Sequence, residues 1–298
     1  MEKPWDIVLF GATGFVGRLI AEYLARRSPP EVRVALAGRS RERLEEVRAA
    51  VGRPDFGIVT AEVEAPATLA AMAQAARVVI TTVGPYVRWG EPVAQACVAG
   101  GAHYLDLTGE PAYVGRLVDR YHAAAKARGA ALVPCCGFDS IPADLGAYFT
   151  VLQLPEGAPI EVVGTVSGRG SFSGGTLASA LGVMADPRSA DARQVDAVEG
   201  DGRRVRGLRG RVRFDREAGL WVVPLPTIDP TIVLRSAKLC ARYGPDFAYS
   251  HQGGLPSLGA LVRAGVGFGA VAAVAQVAAG RRLLERWRPA GEGPPAEV

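Results

Sequence analysis

The chain has 298 residues, 49% hydrophobic and 21% charged, with a formal charge of +4. That is a globular composition, long enough for one large or two ordinary domains with a buried core. The charge is modest and its arginines are interspersed with Glu and Asp over most of the chain, so nucleic acid is not an expected partner.

The first element is a short apolar run, Asp6 to Phe10, which enters Gly11-Ala12-Thr13-Gly14-Phe15-Val16-Gly17. Apolar residues then recur at helical spacing at Phe15, Val16, Leu19, Ile20, Tyr23 and Leu24. Strand, glycine turn and helix in this order make a dinucleotide-binding turn. Gly11 allows the sharp turn, Gly14 admits a pyrophosphate to the backbone, and Gly17 lets the helix pack on the strand. The N-terminal N–H groups of the helix then face the diphosphate.

Val32 to Gly38 reads as a second strand, followed by Arg39-Ser40-Arg41. A carboxylate at that place would bind a ribose 2′-hydroxyl; Arg39 and Ser40 suit a 2′-phosphate instead, so the expected cofactor is NADP(H). A solvated turn capped by Arg39 is the plainer alternative. The alternation continues with a helix from Ser40 to Val51, a strand Phe56 to Val63, a helix from Pro66 to Gln74 and an apolar strand from Arg77 that breaks at Val83-Gly84-Pro85-Tyr86. A helix Glu91 to Ala99, a strand His103 to Leu107, a helix 111–128 and a strand Ala130 to Cys135 follow. Six strand–helix alternations predict an α/β fold: an N-terminal Rossmann-like doubly wound parallel sheet.

A helix to about Leu152 closes that unit, and the pattern then changes. Ile160 to Ser167, Arg211 to Phe214 and Leu220 to Val223 read as strands, with a helix near 175–185. This predicts a second α+β region built largely on antiparallel pairing. The expected division is 1–153 for the NADP(H)-binding domain, 154–257 for a substrate or dimerisation region, and 258–298 for an apolar helix and tail.

The segments GATGFVGRLIAEYLA, AGRSRERLEEV, TTVGPY, HYLDLTGE, CCGFDSIPADLGA and SFSGGTLASA together resemble the saccharopine dehydrogenase-like oxidoreductases, on the side of the bacterial trans-acting enoyl reductases. The resemblance runs from residue 5 to about 190. It implies an NADP(H)-binding Rossmann domain and a second domain that carries a small-molecule or lipid-like substrate. By position, Gly11, Thr13, Gly14, Phe15 and Val16 match the pyrophosphate loop, Arg39 and Ser40 the 2′-phosphate contact, and Val83, Gly84 and Pro85 the loop over the nicotinamide side. Members of the family continue past a segment such as Pro289 to Pro295, so part of a typical substrate region is expected to be missing here.

Hydride transfer needs little from side chains beyond positioning and, for some substrates, a proton donor. The tyrosine–lysine pair of short-chain dehydrogenases is not matched: Tyr121 and Lys126 are five apart and face different ways on a helix. The polar groups at successive strand ends are Tyr86, Asp106, Glu110 and Asp139, and these are the catalytic candidates, with Tyr86 or Glu110 supplying or relaying the proton. Helix capping and turn formation are the plainer roles for Asp106 and Asp139. Cys97, Cys135, Cys136 and Cys240 lack paired ligand spacing, and His103, His122 and His251 lie far apart. We therefore expect reduced thiols in a cytoplasmic protein and no metal. The N-terminus enters a strand directly, with no signal peptide expected.

Three later stretches bear on ligands and partners. The glycine-rich run 164–176 offers hydroxyls and N–H groups to an anionic substrate group, or is a flexible connection between strand and helix. Arg203 to Arg216 holds seven arginines against one aspartate: a solvated edge strand, or a landing site for an anionic carrier. Ala264 to Gly280 is free of charge and precedes Arg281-Arg282. Its Ala- and Gly-rich composition predicts a buried or dimer-interface helix in a homo-oligomer, with peripheral membrane or lipid contact and a true membrane span as the alternatives.

Overall fold

A computed structural model describes residues 3–168, 202–225 and 227–287. These residues form two compact units, the first holding the chain to Cys136 together with residues 285–287 and the second the described residues from Gly137 to Leu284.

The first unit contains β1 (Trp5–Phe10), α1 (Phe15–Arg27), β2 (Val34–Gly38), α2 (Arg41–Ala50), β3 (Gly57–Thr60), α3 (Pro66–Ala75) and β4 (Ala76–Thr81). It continues with α4 (Tyr86–Gly100), β5 (His103–Asp106), α5 (Pro111–Ala127) and β6 (Leu132–Val133). All strands pair in parallel in the order β3-β2-β1-β4-β5-β6. The doubly wound arrangement read from the sequence is therefore present. Successive strand side chains point to opposite faces, and in β1 both faces are covered. Val8 and Phe10 join Val79, Val93 and Tyr104 in one core, while Leu9 joins Leu24, Leu36 and Leu44 in the other. A strand buried on both faces must be apolar at every position, which is why β1 reads as a run and not as an alternation.

Element edges move where a distant residue decides them. α4 starts at Tyr86, five residues before the predicted Glu91, and carries Pro92 inside it. The proline would suggest a first helical turn, but the free N–H groups at the true start are satisfied by a carboxylate 24 residues away. β6 is shorter than predicted, since Cys135 turns away at φ 64° and its N–H goes to a side chain.

The second unit contains α6 (Ile141–Leu152), β7 (Ile160–Val166), β8 (Arg204–Gly207), β9 (Arg213–Asp215), β10 (Leu220–Pro224), α7 (Asp229–Leu239), β11 (Asp246–Leu255) and α8 (Leu258–Ala275). A further helix, α9, spans Ala278–Trp287. The sequence places α6 at the end of the first domain, yet its buried residues Ala147 and Val151 pack with Ile160, Val233, Tyr243 and Phe247 in the second core.

The expectation of largely antiparallel pairing is corrected. β11 runs parallel to β7 along one side, while β8 lies parallel to its first half and β10 antiparallel to its second half. The reason is β11 itself, which the sequence reading passed over. Its Ser250-His251-Gln252-Gly253-Gly254 looks like a loop, but every residue from Phe247 to Gly254 is buried. The predicted helix near 175–185, most of the 164–176 run and the tail from 288 lie outside the described residues.

Candidate cofactor and active site

The strand order reverses between β1 and β4, and an open α/β sheet takes its ligand outside the carboxyl ends of strands at such a point. The sequence-selected cofactor residues occupy three neighbouring strand ends there. Phe10 is registered with Ala37 on β2 and with Thr81 on β4, so the Gly11 turn, Arg39 and Val83 begin from adjacent strands.

The glycine turn is built by steric need. Gly11 has φ +89°, and a Cβ there would lie 2.6 Å from Thr82 Oγ1. A Cβ at Gly17 would collide with Gly11 O and approach Ala12 Cα to 2.9 Å, so Gly17 sets the close helix–strand contact. Gly14 differs: its nearest neighbour would be Gly11 O at 3.4 Å, ordinary contact. The fold therefore requires Gly11 and Gly17, and Gly14 leaves room at the helix mouth for a ligand. Gly14 is the N-cap of α1, no side chain caps that end and no acid lies in its first turn. The N–H groups of Phe15, Val16 and Gly17 have no acceptor within the helix, and the positive end of its dipole is uncompensated. Such a cradle fits a pyrophosphate.

Two side chains that sequence reasoning missed hold this turn. Thr82 donates from Oγ1 to Gly11 O at 3.1 Å, and Arg18 donates from Nε to Thr13 O at 3.2 Å. Arg18 is exposed and brings a positive charge to the loop. Its place one turn beyond Gly14, on the helix side, was the available signal.

At the end of β2, Arg39 is exposed and has no ion-pair partner among the described residues. Ser40 caps α2, its Oγ accepting from Arg43 N at 3.3 Å, so its hydroxyl proton is still free to donate outward. Arg41, by contrast, is held by Glu45 at 3.0 Å. At the end of β4, Val83 N–H donates to Thr81 Oγ1 at 3.2 Å, and Gly84 and Pro85 lead into α4.

The catalytic candidates of the first unit form one buried network. Glu110, the residue before α5, accepts from the N–H of Tyr86 at 3.0 Å and of Val87 at 2.8 Å. Tyr86 donates its hydroxyl to Thr81 O at 3.2 Å and receives Leu107 N–H at 3.4 Å. Asp106 accepts from Thr108 N, Cys135 N and the Tyr104 hydroxyl at 2.9, 3.0 and 2.7 Å. Tyr104 in turn meets the Tyr113 hydroxyl at 2.8 Å. Burial raises Asp106 to about 6 despite these donors, and the Glu110 charge adds to the rise. Burial and the Asp106 charge hold the Tyr86 phenol far above its usual range. Burial likewise pushes the Cys136 thiol up to about 11. What this network does is tie the β4–α4, β5–α5 and β6 ends together beside the Val83–Pro85 loop.

Asp139 belongs to the second unit. Burial and the Asp229 charge raise it. Asp229, at the start of α7, lies 3.8 Å from His251 Nε2, and His251 Nδ1 meets the Tyr249 hydroxyl at 2.9 Å. Gly164 on β7 has no side chain where one would strike that hydroxyl. The Tyr249–His251 alternation in a buried strand was visible in the sequence but hidden by the loop-like residues around it. In the arginine-rich stretch, Arg204 and Arg206 pair with Asp246, Arg213 with Asp215, and Arg203 donates to Ala237 O and Gly244 O. At least four of its seven charges are thus engaged within the protein. Among the described residues no group of His, Cys, Asp and Glu could hold a metal ion.

Comparison with known proteins bears on the same regions. Residues 7–133 match the model of the saccharopine dehydrogenase NADP binding domain. A protein of Mycobacterium leprae named trans-acting enoyl reductase is 37% identical over 98% of this chain and 78% of its own length. A Mycobacterium tuberculosis protein provisionally given the same name is 41% identical over 83% of this chain and 64% of its own. The chain thus spans somewhat less than two thirds of that relative. Among solved structures, saccharopine dehydrogenase (L-Glu forming) from Saccharomyces cerevisiae matches with a TM-score of 0.49 at 14% identity, covering 61% of this chain and 41% of its own. The match over residues 7–133 makes the first unit an NADP(H)-binding unit.

Proposed function

Because the chain belongs to the saccharopine dehydrogenase-like family, alongside the bacterial trans-acting enoyl reductases, we propose that it is an NADP(H)-dependent oxidoreductase that reduces an enoyl or imine-like bond in a hydrophobic substrate. The observation that carries this reading is the pairing of a fitted NADP(H) cradle with 37% identity to an enoyl reductase along nearly the whole chain. When bound, the nicotinamide supplies a hydride to the electron-poor carbon of the double bond, and a proton completes the reduction. The chain's own part in the first unit is binding and orientation. Phe15, Val16 and Gly17 N–H groups with Arg18 would hold the diphosphate, Arg39 and Ser40 would hold the 2′-phosphate, and Val83 to Pro85 would line the nicotinamide side.

In this reading Tyr86, Glu110 and Asp106 position that border. Each already spends its hydrogen-bonding capacity on buried backbone or on another buried side chain, an arrangement that supports rigidity more than proton release. That same observation favours one alternative, a non-catalytic NADP(H)-binding protein. NADPH oxidation by the full chain, followed at 340 nm with α,β-unsaturated acyl thioesters and cyclic imines, separates the two. Turnover of an unsaturated thioester supports the enoyl reading; tight NADPH binding with no turnover of either class favours the alternative.

A further inference from the structure

α8 is apolar on all its sides and exposed on nearly all of them. Of its residues only Ala275 is buried. Leu258, Val262, Val266 and Phe268 are each more than half exposed, and Val274 is exposed as well. At roughly 100° per residue, Val266 and Phe268 point to nearly opposite sides of the helix, and Val262 and Val274 differ by about a third of a turn. A helix that docks on a protein carries one apolar stripe and leaves the rest polar. Here no side of Val262–Ala270 is polar except at Arg263, so a groove would cover part of the apolar surface and leave the remainder in water. A fluid lipid surface moulds itself around the helix and covers more of it than a groove does.

Charge selects the kind of bilayer. Arg263 stands near one end of the uncharged run, Arg281 and Arg282 follow the other, and no acid occurs between Ser257 and Glu285. Arg281 donates to the Ala275 and Gln276 carbonyls, which fixes a positive charge at the carboxyl end of α8. α9 follows with Leu283 and Leu284 after Arg281 and Arg282, and Leu283 is exposed. The uncharged part of α8, Ala264–Ala275, is about 18 Å long, against about 30 Å for a hydrocarbon core, so it does not cross; with arginines beyond both of its ends it lies along the headgroup boundary. We propose that α8, flanked by these arginines, inserts into the surface of a bilayer containing anionic lipid. This inference is independent of which bond the protein reduces.

Flotation of the full chain with phosphatidylcholine vesicles, with and without 30% phosphatidylglycerol, tests it. The protein is expected to float with the anionic vesicles and at least tenfold less with the neutral ones. V266E/F268E changes two exposed positions and is expected to abolish flotation while leaving NADPH binding, measured by fluorescence, unchanged. Arg282→Gln with Arg263→Gln is expected to weaken anionic-vesicle binding several-fold. Absence of flotation by a wild-type chain that binds NADPH would overturn the proposal. So would a wild-type dimer in light scattering that V266E/F268E converts to monomer, since a second copy would then be the occupant.

Discussion

The carboxylate of Glu110 holds the backbone N–H of Tyr86 at 3.0 Å, and with Val87 N–H at 2.8 Å it closes the amino end of α4 from the start of α5. Two buried donors thus depend on one charged acceptor, and hydrogen bonds to charged groups are the stronger kind. Glu110→Ala is expected to lose about 2–4 kcal/mol of stability in the first unit, because both N–H groups would be left buried and unpaired. Tyr86→Phe removes the bond to Thr81 O and the longer one from Leu107 N–H and should cost about 1–2 kcal/mol. Urea unfolding followed by tryptophan emission measures both. An unchanged midpoint for Glu110→Ala would show that the cap contributes nothing. A loss of turnover in Glu110→Gln with stability retained would return the carboxylate to a chemical role.

The three glycines of the first turn are predicted to separate into two classes. Gly17→Ala forces a Cβ into Gly11 O and Ala12 Cα, backbone atoms that cannot move aside, so the unit should fold poorly or not at all. Gly14→Ala meets nothing closer than 3.4 Å and should fold with little change in melting temperature. Its methyl occupies the space a pyrophosphate needs, so NADPH affinity should fall at least tenfold, about 1.4 kcal/mol. Thermal melts and NADPH fluorescence titration check the pair. Equal melting losses for the two variants would contradict the distinction.

The sequence disclosed the first unit well, because its signals are local. β1 is an apolar run, Gly11 needs a positive φ, and Arg39 follows a strand. What it did not disclose depends on residues far apart in the chain. The start of α4 is set by Glu110, and β11 is a strand because its neighbours β7, β8 and β10 bury residues that alone resemble a loop. The candidate chemistry shows the same divide. Tyr86, Asp106 and Glu110, chosen as polar groups at strand ends, lie at neighbouring loops of one sheet. Their partners are mostly backbone N–H and C=O groups, which side-chain identity does not reveal.

Asp106 gives the first unit a pH dependence of definite sign. Burial raises it from 3.8 to about 6 in the folded protein. A carboxyl that holds its proton more tightly when folded contributes its stability below the unfolded value, and that contribution is lost as pH rises through the folded value. Between about pH 4 and pH 6 the wild type should therefore lose up to about 3 kcal/mol relative to Asp106→Asn, which has no proton to release. The comparison is the melting temperature of the two proteins across that range. A difference that stays constant from pH 4 to pH 7 would mean that Asp106 titrates where an ordinary carboxylate does.

Arg39 is predicted to decide between the two nicotinamide dinucleotides. It is exposed, lies at the end of β2 and has no ion-pair partner among the described residues, so its charge is available to a 2′-phosphate. Charged hydrogen bonds of this kind contribute about 1.5–3 kcal/mol. Arg39→Gln should therefore weaken NADPH binding by roughly tenfold to a hundredfold and leave NADH binding within about twofold, since NADH presents a hydroxyl there. Ser40→Ala should weaken NADPH less, and it should also lower stability by about 1 kcal/mol, because Ser40 Oγ caps α2. Paired titrations with the two dinucleotides read both effects. If Arg39→Gln weakened NADPH and NADH equally, the guanidinium would be acting on the diphosphate or on the fold, and selectivity for NADP(H) would have to reside elsewhere on β2 or α2.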